Sequence, residues 1–543
     1  MMKRIVALLL AALMIVGLLA GCNTTEPQPT QGAEPTNAPD PTQGQDDPTE
    51  PAVFSYPMAG GELTFWQWIN GNVSANYPSF EATPEAALLE EATGVKVDWI
   101  DDHSNTDEAF QLMTTDEKLP DLIGHGWLGY PGGTTGAFED GLCIKLNDVI
   151  DQYMPNFKAY LEAHPDIDKM IKDDNGDYYF LPYVNAASGA YTYGSYIRGD
   201  MLAELGGEVP TTVEGWYELL TAAKEKYDMA PYTVTWADLL TKSFVAYAYG
   251  VGDGEYRVDD NGKVVYNRTS AEYKAFLETM AKWYAEGLLD PDVASIATAD
   301  VRAKVINGEA FMSAGWLTSA VQPVEQASDE WEIVPVATPV VNAGDVATDT
   351  YVSWLIGGNG VVITPDCENV ELAARYLDFW YSEAGILLSN FGKEGVSYTM
   401  VNGVPTYTDE VLYGYEEGWT QSQSTARYST MVSGYYAQIK HEAYYPQLLG
   451  EQSIKDAVTV WSSVEGGGYK HKMPNVSYTS DESAEIGRYN TNLKTTADEW
   501  ALNFILGTVS FDQWDTYVEE MKALGYEEAV VITQAAVDRY NAR

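Results

Sequence analysis

Basic residues are scarce: 31 Lys and Arg stand against 80 Asp and Glu, a formal net charge of −49 over 543 residues. Between Arg4 and Lys96 there is neither Lys nor Arg. So acidic a chain repels nucleic acid and anionic lipid headgroups, so no nucleic-acid partner is expected. Polyanionic ligands are disfavoured too, unless a local basic pocket or a metal intervenes, whereas neutral or cationic ligands fit. Cysteine is nearly absent, with only Cys22, Cys143 and Cys367. The last two are far apart in sequence. Two separate buried thiols are the expectation, and a pair formed in an oxidising compartment is the alternative. No internal repeat is present. What the chain does have is a hydrophobic content of 45% with 15 Trp and 38 Tyr, enough for a real core. It is also too long for one core, so two large lobes are expected.

The long apolar run lies at residues 5–19, behind the basic start Met1-Met2-Lys3-Arg4. It suits the h-region of a secretory signal and falls short of the roughly 20 residues of a membrane span. It ends in Leu19-Ala20-Gly21-Cys22, which resembles a bacterial lipobox. That resemblance implies a signal peptide at 1–21 and a diacylated Cys22 as first residue of the mature chain. The protein would then be tethered by lipid to the extracellular face of the cell membrane. Residues 22–58 are Thr, Pro, Gln, Gly and acid, too poor in apolar surface to offset ordering entropy, and read as a disordered spacer.

From Gly61 the pattern changes. Glu62–Trp68 reads as a strand ending at the turn signal Asn70-Gly71-Asn72. Thr83-Pro84 opens a helix that stops at Gly94. Residues 95–100 and 119–123 read as further strands, with a helical stretch at 106–118 between them. Alternating strand and helix predicts a mainly parallel sheet with ligands at the carboxyl ends of its strands. Tyr256–Tyr266, turning at Asp260-Asn261-Gly262, reads as a hairpin, and 270–287 and 369–385 as helices.

An ordered set of segments resembles the extracellular solute-binding proteins of sugar uptake, in their Gram-positive lipoprotein branch. It runs from Thr93-Gly94-Val95 and Leu119-Pro120-Asp121-Leu122-Ile123 through Tyr178-Tyr179-Phe180-Leu181-Pro182 and Ile197-Arg198-Gly199-Asp200-Met201-Leu202. It continues in Gly308–Trp316, Gly392–Tyr398, Trp514-Asp515-Thr516-Tyr517-Val518 and Ala536–Tyr540. The resemblance implies an α/β, two-lobed, periplasmic-binding-protein-like class II fold with a hinge and an inter-lobe cleft. The binding domain would occupy 59–543. Lobe 1 would take about 59–185 with a return near 360–400, and lobe 2 about 186–358 with part of the C-terminal region.

A sugar offers C–H-rich ring faces and a rim of hydroxyls, so its receptor needs flat aromatic faces and polar hydrogen-bonding side chains. At the end of the first strand, Trp68, Asn70 and Asn72 resemble the sugar-meeting loop of maltose-binding proteins. Asn70 and Asn72 read equally as turn formers, and Val73 stands where those relatives carry a basic residue. His125 and Trp127 close the third strand, as pocket lining or plain packing. His125 has no metal-ligand partner at suitable spacing. In the second lobe the resemblance points to Tyr232 and Trp236, and best of all to Trp316 as a ring-stacking aromatic. Trp354 stands on the return segment and Glu394 behind a glycine turn. Arg198 is a candidate for bracing the inter-lobe wall through an acid.

Signatures of catalysis are incomplete. His441-Glu442-Ala443-Tyr444-Tyr445 lacks the second His of a zinc-protease helix, and Ser313 lacks the glycine flanks of a nucleophile elbow. Gly357-Gly358-Asn359-Gly360 lacks phosphate-cradling spacing. Asp173-Asp174-Asn175-Gly176-Asp177 starts with calcium-loop spacing, but Tyr178 and Val184 occupy the glycine and closing-carboxylate positions, so it reads as a turn. No cofactor and no metal are expected. The resemblance implies a monomeric receptor that delivers an oligosaccharide to ABC-transporter permease subunits. A surface-tethered glycoside hydrolase or lyase, or a glycan-binding lipoprotein without a transport partner, stands as the alternative.

Overall fold

The computed structural model describes residues 54–104, 107–185, 191–252, 254–327, 330–353, 355–414, 419–429, 436–468 and 470–543. The expected signal segment, Cys22, most of the spacer and Trp354 lie outside them. Thirteen strands occur among the described residues. In chain order they are β1 (Glu62–Trp68), β2 (Lys96–Asp102), β3 (Leu122–Gly126), β4 (Leu181–Val184) and β5 (Tyr193–Arg198). Then follow β6 (Tyr256–Val258), β7 (Val264–Tyr266), β8 (Met312–Trp316), β9 (Ile333–Val336) and β10 (Ile356–Ile363). The last are β11 (Tyr398–Val401), β12 (Val404–Tyr407) and β13 (Gln438–Ile439).

Two larger sheets hold nine of these strands, and β6-β7 and β11-β12 form separate pairs. The first lobe has six strands in the order β13-β4-β10-β3-β1-β2. In it β1 runs parallel to β2 and β3, while β10 returns antiparallel between β3 and β4. The second lobe holds the antiparallel sheet β8-β5-β9. Each has its own core. Leu122, Ile123, Phe180 and Val361 lie in the first, and Trp216, Phe276, Met312 and Phe504 in the second. Phe504 belongs to the 26-residue helix Ser480–Ile505, so the C-terminal helices finish the second lobe. No helix among the described residues is long and apolar enough to cross a membrane.

Local chemistry accounts for many boundaries. The Thr83 hydroxyl accepts the Ala86 amide at the head of the helix Pro84–Thr93, and Gly94 caps its end at φ 73°. Ser270 caps Ala271–Ala285 in the same way, and β6 and β7 form the expected hairpin. Three boundaries differ from the sequence reading. Order begins before residue 59: Met58 is buried and donates its amide to Thr93, and the Tyr56 hydroxyl donates to the Arg375 carbonyl. The third strand sits at Leu122–Gly126, later than 119–123, because Leu119 and Asp121 are tied outside it by side chains of Asp366 and Thr64. The expected helix at 369–385 is two helices, Val370–Phe379 and Glu383–Phe391, because Ser382 caps a fresh start by accepting the Gly385 amide.

A third layer was also not foreseen. From Phe391 to Trp461 the chain builds a separate hydrophobic cluster with Tyr196, Leu317, Val321 and Ile333 of the second lobe. The Trp461 indole donates to the Ser195 carbonyl at 3.0 Å and lies against Gly194, where a Cβ would meet the ring at 2.2 Å. Residues 391–400, expected in the first lobe, therefore begin this layer. Cys143 and Cys367 are separate buried thiols in the first core.

Candidate functional site

The two sheets meet a cavity of about 910 Å³ at the carboxyl ends of β1 and β8. Asn72 lines it four residues past β1, and Thr318 two residues past β8. The remaining wall comes from the second lobe and the third layer. Trp419, Tyr444 and Tyr445 supply rings, while Gln322, Thr420, Gln421 and Ser422 supply amide and hydroxyl groups. Lys440, Arg302 and Glu451 are its charged members among the described residues. Neutral hydrogen-bonding groups interleaved with aromatic faces suit a polyhydroxylated ligand.

On the first lobe, Asn70 is committed locally. Its side-chain oxygen accepts the Asn72 amide at 2.8 Å and caps the short helix Gly71–Ser74. Buried Ile69 and Val73 clamp this loop against Ala426 of the third layer, which carries Asn72 to the cavity. Trp68 is half-buried and packs edge-on to His125, ring centroids 5.5 Å apart. His125 stacks flat on Phe110 at 3.8 Å and is half-buried. Burial lowers its imidazole to a pKa of about 4, with Asp107 opposing, so the ring is neutral at pH 7. Trp127 does not line this cavity. It is wholly buried in the first core, edge-on to Phe110 and His125.

On the second lobe, Trp316 ends β8 with 40% of its surface exposed. Tyr193 and Tyr351 hold the indole edge-on, each with its centroid at 5.4 Å. The Lys242 ammonium, paired to Asp238, lies 5.2 Å from the Trp316 ring centroid. Such bracing holds a side chain that still keeps much of its surface exposed. Trp236 opens the helix Trp236–Thr241 and is half-buried against the second core. Tyr232 is fully buried, edge-on to Phe244, and offers nothing to a ligand. Arg198 is likewise consumed. It forks onto Asp200, donates to the carbonyls of Val305 and Ile306, and stacks over Trp331. The acid pairing expected of it is present, and its work is to close the helix Thr298–Ile306. Glu394 is exposed on a turn and does not line the cavity. Trp354 lies outside the described residues.

Sequence reasoning missed Arg302, Trp419, Lys440, Tyr444 and Tyr445. Tyr444 and Tyr445 stand in the stretch tested as a zinc helix. The signal available was that aromatic pair itself, beside a lysine in a lysine-poor chain.

Residues 74–386 match the family described as bacterial extracellular solute-binding proteins. Over 483 residues the chain is 22% identical to the fructooligosaccharide ABC transporter substrate-binding protein FusA of Streptococcus pneumoniae, covering 84% of this chain and 86% of FusA. It is 25% identical to lipoprotein LipO of Bacillus subtilis over 495 residues, 84% of this chain and 89% of LipO. Among solved structures, the alginate-binding protein AlgQ2 without calcium ion superposes with a TM-score of 0.70 at 23% identity, covering 88% of this chain and 98% of AlgQ2. FusA in complex with kestose gives the same TM-score at 19% identity, over 89% of this chain and 99% of FusA. The shared fold is the two-lobed solute-binding fold.

The Asp173–Asp177 turn, which starts with calcium-loop spacing, has its carboxylates engaged by protein groups. Asp173 accepts the amides of Asn175 and Asp177, both at 2.8 Å. Asp177 is paired to Lys145 at 2.5 Å, and Asp174 to Arg539 and Arg543 of the last helix. Where a calcium loop closes on a carboxylate, Val184 is buried in β4. No group of three metal-ligating side chains converges among the described residues.

Proposed function

The chain belongs to the bacterial extracellular solute-binding proteins, and from that premise we propose that it is the lipid-anchored receptor of an ABC importer for an oligosaccharide. The observation that carries this is the cavity of about 910 Å³ walled from both lobes by amides, hydroxyls and aromatic rings. The relative FusA, named for fructooligosaccharide transport, supports the ligand class, and lipoprotein LipO supports the tether at Cys22. Ligand contacting both lobes at once stabilises the closed arrangement, which presents an occupied receptor to the permease subunits. Asn72, Trp419, Tyr444 and Tyr445, which line the cavity, are the contacts we assign, and we add Trp316, Trp68, His125 and Trp236, which are outside that lining, as further candidates. The family's members are binding proteins, so turnover is not expected.

The test is a thermal-shift and calorimetric screen of the mature chain against oligosaccharides. A true ligand at a hundred times its Kd stabilises by about 2.7 kcal/mol, a clear rise in melting temperature. Absence of any shift across the panel overturns the reading, and release of new reducing ends points to the hydrolase instead. The tether has its own test. Cys22→Ser should move the protein from the membrane fraction to the medium or leave it unprocessed, since acyl chains supply about 0.8 kcal/mol per buried CH₂.

A further inference from the structure

Lys440 follows β13 directly, and its backbone amide donates to Val184 of β4 at 2.8 Å. That bond fixes where the side chain starts. The ammonium then runs among three rings, 5.9 Å from the centroid of Tyr183, 5.9 Å from Tyr444 and 5.5 Å from Tyr445, and lines the cavity. Among the described residues no carboxylate lies within 4.0 Å of it. Among the described residues, exposed Glu451 and the Arg302 guanidinium are the other charged members of the wall.

A cation taken out of water without a counter-anion is costly, and ring faces return only part of that cost. Such an arrangement is stabilised when something entering the cavity brings the missing charge. We propose that the oligosaccharide bound here carries an anionic substituent, a uronate carboxylate or a sulfate, which seats against Lys440. This rests on reading the cavity as the oligosaccharide site and names the class of sugar it selects. A neutral sugar would leave the ammonium half-dehydrated with hydroxyl acceptors alone. An acidic one makes a charge-assisted hydrogen bond in a partly dry setting, where such bonds are stronger than neutral ones. The overall negative charge slows the approach of an anion without preventing its capture at close range, because screening confines the bulk field to about 8 Å at physiological salt.

Burial lowers the Lys440 pKa to about 8. An anion bound beside it raises that value again, so affinity for an acidic sugar should hold up to about pH 8 and fall above it. The groups around it permit this assignment. Tyr183, Tyr444 and Tyr445 are pushed upward by burial and stay neutral, and burial pushes His441 downward, so it is neutral there too. Among the described residues, Arg302, Glu451 and Tyr413 of the cavity wall and the sequence neighbour Glu442 are the other titratable groups.

The experiment is calorimetry on the mature chain and its Lys440→Met and Lys440→Arg variants. The probes are tri-galacturonate, a sulfated disaccharide and a neutral galacto-oligosaccharide of matching length, from pH 6.5 to 9.5. The wild type should bind one acidic probe at least about tenfold tighter than the neutral one, the step expected of a single charge-assisted contact. Its affinity should decline above pH 8. Lys440→Met should abolish both the preference and the decline, with an unchanged or raised melting temperature, and Lys440→Arg should keep the preference while losing the decline. Which acidic probe binds separates carboxylate from sulfate. Equal or better binding of the neutral probe, or a preference that survives Lys440→Met, overturns this inference while the oligosaccharide reading stands. Failure of all three probes overturns both.

Discussion

Replacing Trp316 by alanine separates a stacking surface from a core side chain. The indole keeps 40% of its surface in water, whereas Trp216 and Trp283 keep at most 1%. Tyr193 and Tyr351 stand near-perpendicular to it, and the exposed part of the ring is the face a sugar would cover. If a sugar ring covers that face, truncation should cost about 1–3 kcal/mol of binding, as at other hot-spot aromatics. That is roughly five- to 150-fold in Kd. Folding should suffer less than for a core tryptophan. Scaling the usual 3–5 kcal/mol by the three-fifths of the ring that is buried gives about 2–3 kcal/mol. Two measurements on one preparation decide the matter: melting temperature without ligand, and calorimetric affinity for the best oligosaccharide of the screen. Trp316→Phe should recover most of the affinity, since a flat face remains. Wild-type affinity in a folded Trp316→Ala protein would refute the stacking role.

Other perturbations test the frame around the site. Trp127→Ala should cost about 3–5 kcal/mol of folding stability and alter affinity only through unfolding, which chemical denaturation read beside calorimetry will show. Gly194→Ala drives a methyl into the Trp461 indole and should destabilise by about 1–3 kcal/mol, read as a lower denaturation midpoint. His125 titrates at about 4 in the folded chain, below its ordinary 6.5, so the unfolded state takes up the proton first. Its contribution is present above pH 6.5 and is lost as pH falls toward 4. His125→Gln should flatten that part of the stability–pH curve by up to about 3 kcal/mol, less whatever solvent screens. Adding calcium or a chelator should leave the melting temperature within about 1 °C, because the 173–177 turn is already closed by Lys145 and two arginines. A larger rise with calcium would show a site in the folded chain.

Local chemistry made much of this protein legible in its sequence. The cap at Thr83, the stop at Gly94 and the hairpin at Asp260-Asn261-Gly262 each depend on groups a few residues apart. The order of strands and helices followed from the same signals, and the family resemblance from their succession. Trp316 was singled out because a strand end and a family resemblance agree at one residue, and the structure leaves it 40% exposed at the end of β8. Trp127 and Tyr232 show the limit of that reasoning. Position near a strand end brings a side chain close to the cleft, but the twist and packing of the whole sheet decide whether it turns outward or into the core. The cavity wall was beyond reach for a further reason. Asn72, Thr318, Trp419 and Lys440 are separated by up to hundreds of residues and meet only because the third layer packs on the second lobe through Trp461 and clamps the first at Ala426. A lysine in a sequence is a solvated charge until tertiary structure takes its water away. Its surroundings among Tyr183, Tyr444 and Tyr445 exist only once β13 has paired with β4.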